Sequence, residues 1–272
     1  MKSAVTVCLV PEARRGPFVL HDGLEAGCRA AAEHGFHGVE VFPAGAGEVA
    51  AAVVRPLLVA HGLALAAVGT GAGFVKHGLH LVHADGDIRR RAREFIAGIV
   101  DAAGDLGAPA IIGSMQGRTA PEVPRETALG MLADALGDLS HRAAARGQPL
   151  LYEPLNRYET DLFNRQAEAA AFLETQGLDA VHLLCDLFHM NIEEDDVAGA
   201  IVACGRRVGH VHWADSNRQA MGLGHTAAGP VVAALRGTGY QGFLSAEVFP
   251  LPTAMDAARQ TINSLRPLIQ AV

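Results

Sequence analysis

Cysteine is scarce in this chain: four residues in 272, Cys8, Cys28, Cys185 and Cys204, with no CxxC pair and no framework spacing. That excludes a disulfide-stapled secreted scaffold and suits a reducing, cytoplasmic setting. Positive charge is also in deficit, with a net charge of -7. A duplex nucleic acid needs clustered Lys and Arg against its phosphates, so a nucleic-acid partner is not expected. The one basic concentration, Arg89, Arg90, Arg91 and Arg93, wraps most of the way round a helix and reads as a solvated helix start. No apolar run approaches the roughly 18–20 residues that span a bilayer, so no membrane segment is expected. The short run Ala4–Val10 is followed by Pro11, Glu12, Arg14 and Arg15, without a cleavage site, and fits a first strand better than a signal peptide. A GxGxxG after that strand is missing too, which disfavours an open dinucleotide-binding sheet.

What the chain does have is alternation. Half of its residues are hydrophobic, and they fall into eight short apolar runs: Ala4–Val10, Gly38–Phe42, Leu63–Gly69, Ala108–Gly113, Pro149–Glu153, Val181–Asp186, Val208–His212 and Gly242–Val248. Such runs suit strands buried on both faces. Alanine-rich helical patterns lie between them. In the segment Ile88–Leu106, for instance, Ile88, Ala92, Phe95, Ile99 and Ala103 make one stripe. Gly35, Gly62, Gly107, Gly147, Gly177 and Gly239 stand where helices should end. Eight strand–helix units with no linker predict one α/β domain over residues 1–272, a single (β/α)8 TIM barrel.

Polar chemistry gathers at the ends of the last four strands. Glu153, Asp186, His212 and Glu247 each close an apolar run, at the C-terminal mouth where barrel enzymes keep their chemistry. Alternation sends all four inward, together with Leu151, Leu184, His210 and Ser245 two residues earlier. Three carboxylates converging without compensation would repel, and burying them bare is expensive. One divalent metal ion resolves the conflict. An oxygen-rich set with one histidine favours Mn2+, with Mg2+, Co2+ or Zn2+ as alternatives.

These residues sit in motifs with a resemblance. Glu153-Pro-Leu-Asn-Arg-Tyr-Glu159, Cys185-Asp-Leu-Phe-His-Met-Asn-Ile-Glu-Glu194, Gly209-His-Val-His-Trp-Ala-Asp-Ser-Asn-Arg218 and Glu247-Val-Phe cover about 100 residues. They resemble the xylose-isomerase-like sugar isomerase/epimerase superfamily, and within it the D-tagatose 3-epimerase group. The resemblance implies metal binding by Glu153, Asp186, His212 and Glu247, and sugar contacts from Glu159, His189 and Arg218. It further implies that Glu153 and Glu247 are the catalytic pair, moving a proton at C3 of a free ketose through an enediolate. An aldose–ketose or sugar-phosphate isomerase uses similar parts, as does a keto-sugar or keto-inositol dehydratase. A small-molecule sugar is thus the expected partner, and a homo-oligomer is compatible with the sequence.

The chain departs from that group at Trp213-Ala-Asp215, where a Thr-Gly-Glu-like run is common, and at Gly113-Ser-Met-Gln-Gly-Arg118. A three-zinc endonuclease of the same superfamily would need histidines after strands three and four, where Val68-Gly-Thr-Gly-Ala and Gly113-Ser-Met-Gln have none. Two lesser signals remain. His77, His80 and His83 have an HxxHxxH spacing that reads as a polar loop ahead of a second metal site. Gly222-Leu-Gly-His-Thr226 is the kind of glycine-rich loop that can cradle phosphate. Against that, Phe249-Pro-Leu-Pro252 offers neither glycine nor base, so a free sugar is favoured over a phosphate ester.

Overall fold

The structure is a computed structural model that describes residues 1–270. Eight parallel strands close into a barrel in chain order, with β1 hydrogen-bonded to β8. They are β1 (Lys2–Cys8), β2 (Gly38–Phe42), β3 (Ala64–Gly69), β4 (Ala110–Ile112), β5 (Leu150–Tyr152), β6 (Val181–Asp186), β7 (Val208–His212) and β8 (Phe243–Ala246). The helices are α1 (Leu24–His34), α2 (Ala51–His61), α3 (Ala72–His77), α4 (Gly86–Gly104), α5 (Arg125–Ala144), α6 (Gln166–Thr175), α7 (Leu187–Glu193), α8 (Val197–Cys204), α9 (Ala228–Gly237) and α10 (Ala254–Gln270). No helix among the described residues is long and apolar enough to cross a membrane.

Packing follows from the pattern. Ala67, Ile111, Leu151 and Leu184 fill the barrel interior as one buried layer beneath the mouth. The larger core lies between barrel and helices, and Ala92, Ile99 and Ala103 of the α4 stripe are buried in it while Ile88 and Phe95 are half-buried. Gly35 and Gly62 cap α1 and α2 in the left-handed conformation, where a side chain would be strained. The arginine run does open a helix: Arg90 pairs with Asp87 and Glu94, and Arg93 with Asp138 across to α5.

Three strands are shorter than their apolar runs suggest. β4, β5 and β8 end before Gly113, Glu153 and Glu247, so those residues stand just past the ladder. The reason is visible at Gly113, whose φ of -103° and ψ of -104° leave strand geometry and open a 3-10 turn over Ser114–Gln116. A register shift beside Val39 and Glu40, which pair with Leu65 and Ala67, leaves Ala66 as the extra residue of a bulge in β3 next to Glu40.

Candidate active site

The four strand ends meet. One ligand-capable atom from each of Glu153, Asp186, His212 and Glu247 lies within 4.8 Å of all the others. Asp186 and His212 are the last residues of β6 and β7 and are register partners, which sets them side by side. His212 is central: its Nδ1 lies 3.3 Å from Asp186 Oδ2, 3.4 Å from Glu153 Oε1 and 3.6 Å from Glu247 Oε2. Asp186 doubles as the N-cap of α7, accepting the Phe188 amide at 2.8 Å.

Glu40, on β2, is a residue that the sequence reading missed. Its two carboxylate oxygens accept from His210 Nε2 at 2.8 Å and His212 Nε2 at 3.1 Å. With Nε2 held by Glu40, His212 turns Nδ1 toward the cluster, the nitrogen whose lone pair would serve a metal, as an outer carboxylate arranges for a metal-ligating histidine. Glu40, His210 and His212 also form a compact group by themselves. There, however, both carboxylate oxygens are already hydrogen-bonded, whereas Glu153 Oε1 is buried with no hydrogen-bond partner. An orphaned buried oxygen makes Glu153–Asp186–His212–Glu247 the set better suited to hold a cation. A signal for Glu40 was available: a lone carboxylate between Val39 and Val41 in an apolar strand must find a buried partner.

Electrostatics agree with that placement. Burial pushes Glu153 up to about 7, opposed by His212 and reinforced by Glu247 and Asp186. Burial also raises Glu247, against the pull of His212 and Arg218. At Asp186 burial is the largest influence and acts upward, yet His189, His212 and Arg218 together hold the carboxyl well below the usual range. His212 is disfavoured as a cation by burial but surrounded by Glu247, Glu40, Asp186 and Glu153, which drive it well above the ordinary histidine value. Four groups competing for protons at one point form a site that a divalent cation would neutralise, and its oxygen-rich donor set fits an oxygen-preferring ion.

The three residues expected at the sugar also converge. Arg218 donates to Glu247 Oε2 at 2.6 Å, lies 3.7 Å from both Asp186 Oδ2 and Glu159 Oε1, and stacks on Phe188 at 4.8 Å. It adopts a φ of 57°, a left-handed conformation that costs a non-glycine residue about 1 kcal/mol or more and so has to be imposed by its surroundings. His189 Nδ1 accepts from the Asn156 amide at 3.2 Å and from Asn156 Nδ2 at 2.8 Å. That leaves the proton on Nε2, which is buried and without a hydrogen-bond partner. Glu159 is exposed at the rim, held by Asn156 Nδ2 at 3.0 Å.

The unplaced fourth-strand run has a role as well. Gln116 is fully buried and donates to Gly113 O at 3.0 Å and Glu153 O at 2.9 Å, while accepting from Tyr152 Oη at 2.5 Å. A Cβ on Gly113 would fall on Glu153 Oε2, so the glycine makes the room that the carboxylate occupies. The HxxHxxH spacing does not assemble a metal cluster among the described residues. His80 and His83 face each other with ring centroids 4.9 Å apart, and burial pushes His80 down to about 4. The glycine-rich loop likewise holds no open cradle. The Asp215 carboxylate accepts the amides of Ser216, Gly222, Gly224 and Thr226, and those bonds, outweighing burial, hold it at about 2.

The cluster opens into a cavity of about 380 Å3 at the barrel mouth. Glu153, Glu159, His189, His212, Arg218 and Glu247 line it. Pro17, Phe18, Phe42, Phe74 and Val75 also line it, with the Phe18 and Phe42 ring centroids 4.5 Å apart.

Comparison with known proteins gives the family of this closed (β/α)8 barrel. Residues 28–268 match the family described as xylose isomerase-like TIM barrel, and the chain belongs to that family. The L-ribulose 3-epimerase of Mesorhizobium japonicum is 34% identical over 168 residues, 61% of this chain and 57% of that enzyme. The 3-dehydro-D-guloside 4-epimerase of Escherichia coli is 37% identical over 114 residues, 42% of this chain and 44% of that enzyme. The chain thus spans about half the length of the curated relatives it matches. Among solved structures, the D-psicose 3-epimerase of Clostridium cellulolyticum H10 with D-tagatose superposes with a TM-score of 0.82 over all of both chains at 21% identity, a likeness of fold.

Proposed function

We propose that this chain acts as a single catalytic domain, a divalent-metal-dependent sugar epimerase that inverts C3 of a free ketose. The observation that carries this reading is the pair Glu153 and Glu247. Both are carboxyls raised by burial, set at the ends of β5 and β8 with Asp186 and His212 between them on the intervening strands. Groups with perturbed affinities for protons at one cleft are those suited to acid–base work. The relatives named as 3-epimerases of ketoses support the reaction type.

Glu153, Asp186, His212 and Glu247 would hold the ion, Mn2+ in the first instance. When bound, it supplies a Lewis acid next to the carbonyl, which stabilises negative charge as the neighbouring C–H is broken. The protein does the rest. One glutamate removes the C3 proton from one face of the sugar, and the other delivers a proton to the opposite face, so the carbon inverts. Positioned acid–base groups of this kind contribute about 10²–10⁴-fold each. Arg218 and the Nε2–H of His189 donate to oxygens that gain charge, and Glu159 accepts from a hydroxyl at the rim.

A free sugar is favoured on two grounds. Arg218 is the one Lys or Arg among the described residues that lines the cavity, and it is already paired with Glu247, so the lining offers no second cation to a phosphate. The glycine-rich loop is occupied by Asp215. Four buried, unpaired thiols suit a cytoplasmic enzyme.

The test is incubation with a panel of free ketoses, Mn2+ and deuterated solvent, read by sugar chromatography and NMR. Epimeric ketose labelled at C3 is expected. Label at C1 or C2 with an aldose product would make the chain an isomerase, label at C4 a 4-epimerase, and loss of water a dehydratase.

A further inference from the structure

The loop between β7 and α9 is built around a carboxylate that takes no part in the cluster. We infer that Asp215 is a positioning residue for Arg218: its carboxylate replaces an external anion at the centre of the glycine-rich loop and so fixes the arginine that faces Glu247. The inference rests on the reading of the site given above.

Asp215 is 1% exposed and none of its partners is a charged side chain. Its Oδ1 accepts the Ser216 amide at 2.7 Å and the Thr226 amide at 2.9 Å, and its Oδ2 accepts Gly222 at 2.7 Å and Gly224 at 2.9 Å. One side chain therefore ties both ends of the excursion from Asp215 to Thr226 to a single point. Backbone amides converging in this way form a nest that favours an anion, and here the anion is supplied by the chain. The glycines follow from it: a Cβ on Gly224 would fall on Asp215 Oδ1 and lie 2.5 Å from Ser216 Oγ, and Gly222 has a φ of 98°.

The main chain of the same residue carries the consequence to Arg218. Asp215 N donates to Gln219 O at 2.9 Å, and Arg218 N donates to Asp215 O at 2.8 Å. An antiparallel bridge between Ala214 and Ala220 closes the turn. Arg218 is thus the tip residue of a turn held at its base by Asp215, and the turn imposes its left-handed φ. Arg218 O then accepts the Phe249 amide at 2.8 Å, two residues beyond Glu247. The chain of contacts runs from the Asp215 carboxylate through the turn to both members of the Arg218–Glu247 pair. A long side chain with many rotamers depends on such a base for its aim.

The experiment compares wild type, Asp215→Asn, Gly224→Ala, Arg218→Ala and the double variant Asp215→Asn/Arg218→Ala. Ketose turnover, Mn2+ affinity and amide exchange by NMR are measured on each. Asp215→Asn keeps the shape but turns an NH2 group toward two amide donors. It should lower kcat by about 10-fold or more, leave Mn2+ affinity within about 2-fold, and speed exchange at the Arg218 and Phe249 amides by at least about 10-fold. Gly224→Ala, which displaces the carboxylate without removing it, should do the same. In the Arg218→Ala background the Asp215→Asn change should alter turnover by less than about 2-fold, because the positioned group is gone. A residue that only stabilised the fold would depress both backgrounds equally, and that result overturns the inference. So do unchanged Arg218 and Phe249 exchange rates in both Asp215→Asn and Gly224→Ala. A wild type that epimerises no ketose would instead overturn the functional reading, while the exchange rates still decide whether Asp215 holds the turn.

Discussion

Glu40 and His212 meet through one hydrogen bond, Oε1 to Nε2 at 3.1 Å, and that bond decides which ring nitrogen faces the carboxylate cluster. The same carboxylate takes His210 at 2.8 Å, so one buried acid orients two imidazoles. Burial acts most strongly on Glu40 and acts upward, but His212 and His210 keep it ionised.

Glu40→Gln is therefore expected to weaken Mn2+ binding by roughly 10–100-fold while leaving all four proposed ligands in place, the usual effect of losing an outer-layer partner. An amide has one acceptor and one donor, so it cannot accept from both imidazoles. Isothermal titration with Mn2+ measures this directly. Unchanged affinity would mean that the tautomer of His212 is set elsewhere.

Asp186 caps α7 and is a proposed metal ligand, and two substitutions separate the two roles. Asp186→Ala should lose tight Mn2+ binding and also the cap on α7, worth on the order of 1 kcal/mol. Asp186→Asn keeps an oxygen for the Phe188 amide and should retain the cap while still losing most of the metal affinity. His212→Ala should lose the metal with the barrel still folded by circular dichroism. A fully loaded and active Asp186→Ala enzyme would remove Asp186 from the ligand set.

Arg218 is proposed to meet the sugar at its reacting oxygens. Arg218→Ala should reduce turnover by about 100-fold or more, within the range seen when one donor to a developing oxyanion is removed. Metal content, measured by plasma emission, should stay within about 2-fold of wild type. Loss of metal in proportion to activity would show that Arg218 acts on the cluster itself.

Acid should expose the contribution of Asp215. Its folded-state affinity for protons is depressed to about 2, against an unfolded value near 4. A depressed carboxyl stabilises the fold above the unfolded value, and the stabilisation is lost as pH falls from about 4 through about 2. The magnitude is on the order of 2 kcal/mol. Thermal unfolding of wild type and Asp215→Asn should thus differ most at pH 5–7 and converge toward pH 2. A constant gap across that range would assign the effect to lost packing.

Much of this site was legible in one dimension because a barrel strand converts sequence position into direction. Period-two alternation and an apolar run ending in a polar residue sufficed to place Glu153, Asp186, His212 and Glu247 at one mouth, and the glycines after each helix marked the turns between units. Glu40 was not legible in that way, since it lies 170 residues from His210 and mid-strand, and only closure of β1 onto β8 brings the two sides of the barrel together. Gln116 and Gly113 were unreadable for the same reason: their meaning is a contact with Glu153 about 40 residues on. The glycine-rich loop shows the limit most clearly. Its composition fitted an external phosphate and an internal carboxylate equally well, because both present oxygens to converging amides. Only the three-dimensional course of the loop put Asp215 at its centre. Local pattern, in short-range chemistry along one strand or helix, was carried by the sequence alone, whereas the choice of partner across the barrel was made by closure of the fold.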